Sequence, residues 1–259
     1  MDLPWLALAA VGGCLVTSLL VLQHFVRRSR RSISALHSAE LQLERLQQAF
    51  HRFAPREVVE SILERGDARR GERKTVTVLF ADIVGFTALS ETMEAEALVQ
   101  ILNGYFQRMS SVVTAHRGHV AKFIGDGLLA TFGALDNDPW QCAGAVDASL
   151  EMEEELNAYN RDLRERGQPQ LRISIGIHCG PVVAGVIGSE ELIEFTVIGD
   201  TVNTASRIEG LTRLHKASIL VSGSVREKLG SHYVLREMPA VEVKGKREPI
   251  LTYSIERRL

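Results

Sequence analysis

A chain of 259 residues has room for one domain of ordinary size plus extras, and its 45% hydrophobic and 24% charged content is that of a folded protein. A formal net charge of -2 gives no reason to expect a nucleic-acid partner. The three cysteines, Cys14, Cys142 and Cys179, are odd in number and lack metal-ligand spacing, which argues for a reducing compartment and against a disulfide framework.

The first element is apolar. Leu3 to Val26 carries no Asp, Glu, Lys or Arg, and a spanning helix needs about 20 such residues. Arg27, Arg28, Arg30 and Arg31 follow at once, so the positive-inside rule places the N-terminus outside and the rest in the cytoplasm. A secretory signal would carry its charge ahead of the apolar run, and Cys14 lacks the basic leader of a lipoprotein site. Residues 1–31 therefore read as one membrane anchor, with the protein at the inner (plasma) membrane.

Leu36, Leu43 and Phe50 form one heptad row, and Ala39, Leu46 and Phe53 the other. The pattern fits a short dimerising coiled coil or a helix packing on its own domain. After Pro55 a shorter helix (Val58, Val59, Ile62, Leu63) ends at Gly66, and Gly66 to Lys74 is polar enough for a linker, so residues 32–73 form a helical connection. Residues 74–259 are read as one folded domain.

Val76 to Phe80 reads as a buried strand with Asp82 at its carboxyl end, followed by Gly85-Phe86-Thr87. A carboxylate there costs free energy unless a cation meets it, and a divalent metal suits; an N-cap is the plainer role. Gly85 lets backbone N–H groups approach phosphate oxygens. An amphipathic helix follows (Leu98, Ile101, Leu102, Tyr105, Phe106, Met109, Val113), then two strands, His119 to Phe132, joined by Gly125-Asp126-Gly127. A helix spans about Pro139 to Arg166. Leu171 to Ile187 is strand-like with a break at Gly180-Pro181; Phe195 to Ile198 is a strand and Thr201 to Leu214 a helix. Short strands and one short helix complete the chain. This order predicts an α+β sheet with a βαββ start and helices on one face. Asp82 and Asp126, at the ends of neighbouring strands, are suited to hold two magnesium ions around a triphosphate.

Val78–Thr87, Lys122–Gly133, Glu194–Gly210 and Val243–Lys246 resemble, in order and spacing, the catalytic domain of class III nucleotidyl cyclases. The resemblance covers roughly Gly71 to Arg257, and the preceding FAPREVVESIL is similar to the segment before many bacterial cyclase domains. It implies a ferredoxin-like βαββαβ fold, a head-to-tail homodimer with sites at the interface, and adenylate cyclase activity on ATP with two Mg²⁺ or Mn²⁺ per site. Asp82, Asp126 and the Ile83 carbonyl match metal contacts, and Gly85, Phe86 and Thr87 the amides over the phosphates. Lys122 matches the lysine on adenine N1 and Thr196 the second base reader, commonly an aspartate. The threonine resembles a bacterial subgroup, some of whose members respond to bicarbonate. Asn203 and Arg207 match the pair on the ribose and the α-phosphate charge, and Lys244 the lysine on the terminal phosphates. An arginine that some members place four residues before His178 is Ser174 here, with Arg172 or another cation as its substitute. Lys122 opposes a guanylate cyclase, and the intact motifs oppose an inactive cyclase-like dimer. No general base is evident; His178 reads as a packed structural histidine.

Overall fold

The computed structural model describes residues 71–189, 193–241 and 249–258, together with residues 37 and 40–42. The chain divides into two units. In Met1–Val59, residues 40–42 are helical and exposed. The strands and helices below belong to Glu60–Leu259. The apolar run Leu3–Val26, its arginine flank, both heptad rows and the helix before Gly66 lie outside the described residues, as does Lys244. Among the described residues no helix is long and apolar enough to cross a membrane.

Strand β1 (Glu72–Ile83) leads into helix α1 (Phe86–Thr92) and helix α2 (Ala95–Ala115). The hairpin β2 (Gly118–Ile124) and β3 (Gly127–Phe132) follows, then α3 (Gln141–Glu165) and the long β4 (Ile173–Gly188). Strand β5 (Ile193–Ile198), helix α4 (Asp200–His215), β6 (Ile219–Ser222), the single turn α5 (Gly223–Arg226), β7 (Tyr233–Glu237) and β8 (Thr252–Arg258) close the domain. The strands pair in the order β2-β3-β1-β4-β6-β8-β7, and β5 pairs with the far end of β4. Every pairing is antiparallel except β4 with β6, which are joined by the α4 crossover. The α+β expectation holds.

Alternation along β1 assigns its side chains to two layers. Leu79, Ala81 and Ile83 bury against Ile101, Tyr105 and Met109 of α2 and Val146 and Met152 of α3. Val76 and Val78 bury on the opposite face with Val182, Ala184, Val197 and Ala205 of α4. The helices thus cover both faces, not one as expected. The reason lies in β4: Gly176 and Gly180 present no side chain to α4. A Cβ on Gly176 would come within 2.6 Å of the Ala205 carbonyl oxygen, and one on Gly180 within 2.7 Å of Thr201 Oγ1.

Three further expectations change. Gly180-Pro181 does not interrupt β4; along one edge β4 pairs with β6 through its own Ile175–Ile177 and with β5 through its own Val183–Gly188, and Pro181 falls between the two, so no ladder bond on that edge requires its N–H. The proposed linker ends early, because β1 starts at Glu72, paired with Ala184. Helix α1 was not foreseen, since its seven residues FTALSET carry too short an apolar period to read.

Candidate active site

Asp82 is the next-to-last residue of β1 and shares the α4-facing side with Val76 and Val78. The β2–β3 turn lies against it. Gly125 has φ +63°, and a Cβ on Gly127 would stand 3.1 Å from Asp82 Oδ1. The tip thereby brings Asp126 within hydrogen-bonding reach of Asp82. Burial first, then the nearby Asp126 and Glu209 charges, push the Asp82 carboxyl from 3.8 up to about 6, and Arg213 opposes the rise. Two carboxylates held this close repel unless a cation joins them.

The donor chemistry fits a magnesium-like ion. Among the described residues no group of three or more His, Cys, Asp or Glu side chains could hold a metal, so this chain offers a carboxylate pair and backbone oxygens. Mg²⁺ is commonly bound by one or two carboxylates, with water and substrate phosphates completing its shell. The buried Ile83 side chain packs in the α2/α3 core, leaving only its backbone to the site. Gly85 then takes φ +78°, with open space where a Cβ would stand, and α1 begins at Phe86 and Thr87.

Helix α4 completes this half-site. Ser174, paired with Asp82 across the β1–β4 ladder, donates to Glu209 Oε1 at 2.6 Å. Arg213, one turn beyond Glu209, sets Nη2 3.6 Å from Asp82 Oδ2. Neither residue was singled out from the sequence. Their i, i+4 spacing was visible, but the face they occupy depends on how closely α4 sits on Gly176.

Lys122 reaches the same side of the sheet by a bulge. Val120 pairs with Ala130 and packs toward α2 and α3, whereas Lys122 pairs with Leu129 on the other face, so Ala121 is the extra residue that re-aims the lysine. Its Nζ lies 3.0 Å from both carboxylate oxygens of Glu194 on β5. Thr196 stands two residues along β5, hence on the same side as Glu194. Glu194 also escaped the sequence reading; strand periodicity beside Thr196 was its one signal.

Asn203 and Arg207 share one face of α4. At 100° per residue that face is turned by about 120° from the Glu209–Arg213 face. Among the described residues it is therefore Glu209 and Arg213, not Asn203 and Arg207, that are directed at Asp82. Asn203 is exposed, and Arg207 keeps a buried Nη1 with no hydrogen-bond partner. The helix start is fixed by Thr201 Oγ1, which donates to the Pro181 carbonyl at 2.7 Å. One chain thus carries two groups of candidate residues that do not converge. His178 Nδ1 lies 2.8 Å from Ser222 Oγ and 3.3 Å from Ser224 Oγ, the surroundings of a structural histidine.

Residues 69–257 match the family described as the adenylate and guanylate cyclase catalytic domain. The chain is 35% identical over 228 residues to adenylate cyclase 1 of Rhizobium meliloti, covering 86% of this chain and 34% of the relative. It is 35% identical over 234 residues to the adenylate cyclase of Anabaena cylindrica, covering 86% and 46%. The chain therefore spans less than half the length of either. Among solved structures, the adenylyl cyclase CyaB from P. aeruginosa superposes with a TM-score of 0.69 at 31% identity, over 73% of this chain and 97% of that one.

Proposed function

Because the chain belongs to the adenylate and guanylate cyclase catalytic-domain family, we propose that it is an adenylate cyclase, converting ATP to 3′,5′-cyclic AMP and pyrophosphate. The observation that carries the reading is the approach of the Asp126 turn to Asp82, a paired-carboxylate site on adjoining strands. The β2-β3-β1-β4 order supports the ferredoxin-like βαββαβ form of the core.

Asp82, Asp126 and the Ile83 carbonyl would hold two Mg²⁺ or Mn²⁺, which supply Lewis acidity to the ribose 3′-hydroxyl and the phosphates. The backbone N–H groups of Gly85, Phe86 and Thr87 would donate to the phosphate oxygens. Lys122 donates to adenine N1 and the Thr196 hydroxyl accepts from the adenine amino group. Asn203 orients the ribose. The Arg207 fork meets the charge that develops as the 3′-oxygen bonds to the α-phosphorus and the bond to the β-phosphate breaks. Lys244 holds the terminal phosphates.

The two groups on one chain face apart, which supports a homodimer whose sites draw Asp82 and Asp126 from one protomer and Lys122, Thr196, Asn203, Arg207 and Lys244 from its partner. Leu3–Val26 would anchor this dimer in the inner membrane, with the catalytic domain in the cytoplasm. The test is to incubate the full-length protein with ATP or GTP and Mg²⁺ or Mn²⁺ and identify the products. Cyclic AMP from ATP is expected; preference for GTP would refute the base assignment, and no cyclic product the function.

A further inference from the structure

Two cysteines meet inside the domain, on the α2/α3 side of the sheet and away from the Asp82 face. Cys142 sits in the first turn of α3 and Cys179 in the middle of β4, both buried and neither in a disulfide. Thr77 of β1 brings them together. It pairs with Cys179 across the β1–β4 ladder, and its Oγ1 lies 3.2 Å from Cys142 Sγ. The Thr77 N–H donates to Gln141 Oε1 at 2.7 Å, which seats the start of α3 there. The two sulfurs are within hydrogen-bonding reach of each other. Lys228, an exposed residue just past α5, reaches in and donates from Nζ to Cys179 Sγ at 3.2 Å. Ser224 Oγ ties the same segment to the Cys179 carbonyl at 2.7 Å.

A cysteine buried only to fill space needs no cation, and an ammonium is matched by a thiolate rather than a thiol. We propose that Cys142 and Cys179 form a redox site, in which hydrogen peroxide oxidises Cys179 and Cys142 resolves it to a disulfide that staples α3 to β4. This assignment is independent of the cyclase reading. The Cys142 thiol, then Thr77 and the Lys228 ammonium, hold Cys179 below the ordinary thiol range despite its burial. Cys142, donating to Cys179, keeps its own proton well above that range. The Cys179 thiolate attacks one peroxide oxygen, the O–O bond breaks and a sulfenic acid forms. The Cys142 sulfur then displaces the hydroxyl, making the S–S bond and breaking S–O. One departing hydroxide takes the Cys142 proton and the other a proton from solvent. The sulfur pair thus gives up two electrons and the peroxide becomes two waters. A soft metal ion, the other ligand of paired thiols, is opposed by the ammonium beside them. In a reducing compartment the pair rests as thiol and thiolate.

The test is to expose the full-length protein to hydrogen peroxide, alkylate the remaining thiols in denaturant and map the peptides without reduction. A Cys142–Cys179 link within one chain, reversed by dithiothreitol, is expected. Closing the loop between residues 142 and 179 should raise the Tm of the oxidised wild type by about 5–10 °C over its reduced form. In Cys142→Ala, which lacks the resolving thiol, dimedone should trap a sulfenic acid at Cys179, with no rise in Tm. Lys228→Met is expected to slow Cys179 oxidation about tenfold. Both thiols still open to alkylation after peroxide, or a link between chains instead, overturns the site in the wild type itself, whatever the variants do. Equal Tm values for the oxidised and reduced wild type overturn the staple. An unchanged oxidation rate in Lys228→Met overturns the role of the lysine.

Discussion

Asp82 carries an electrostatic cost in the metal-free protein that a single substitution should release. Its folded pKa, raised to about 6 from 3.8, means that the native state holds a proton the unfolded chain has lost. The contribution of Asp82 to metal-free stability is then greatest below about pH 4 and is lost as pH rises through 6. Asp82→Asn is expected to stabilise the metal-free protein at pH 8 by about 1–2 kcal/mol, the ~3 kcal/mol of a two-unit shift reduced for solvent screening. The same variant should lose cyclase activity, and thermal unfolding from pH 4 to pH 8 checks the sign. A Tm at pH 8 equal to or below that of the wild type would show that the carboxylates do not repel. At the base-reading end, Lys122→Glu/Thr196→Cys reverses the hydrogen-bond polarity toward the base and should lower kcat/KM for ATP at least about tenfold. Glu194 lies beside Lys122, so the new carboxylate meets an old one. Use of GTP is therefore expected to rise further when Glu194→Gln is added. Equal GTP turnover with and without that third change would remove Glu194 from base reading.

The β4–α4 contact shows which elements could be read from the sequence and which could not. Asp82 at a strand end, Asp126 in a tight turn and the Asn203–Arg207 spacing were legible because each is a local pattern. The Glu209–Arg213 pair and the bulge at Ala121 were not, because both depend on neighbours distant in sequence. Alternation alone would send Lys122 to the α2 side with Val120, and only the extra residue opposite β3 turns it toward Glu194. Gly180 looked like a strand breaker and is instead a seat for α4. Gly176 tests that seating: a Cβ there would stand 2.6 Å from the Glu209 Cα. Gly176→Ala is expected to destabilise the protein by about 1–3 kcal/mol through overpacking. Gly210→Ala, on the same helix with nothing within 4 Å of the added Cβ, should stabilise it by up to about 1 kcal/mol through helix propensity. Denaturant midpoints of the two variants check the pair, and equal shifts would contradict the tight β4–α4 packing.

For the whole molecule, the question is where one complete site resides. The Asp82 group and the Arg207 group belong to one chain yet face apart on α4, so each site of the proposed homodimer draws on two chains. Asp82→Ala and Arg207→Ala should each be inactive alone, because every site in either homodimer lacks an essential group. Co-expressing the two variants from full-length chains and measuring cyclic AMP tests the central claim. In a mixed dimer one site collects both lesions and the other neither. Random equal pairing makes half the dimers mixed, so activity should return to about a quarter of wild type under closed two-fold symmetry. No cyclic AMP from verified mixed dimers of well-folded variants would mean that each chain holds a complete site, and the division of roles between protomers would be wrong.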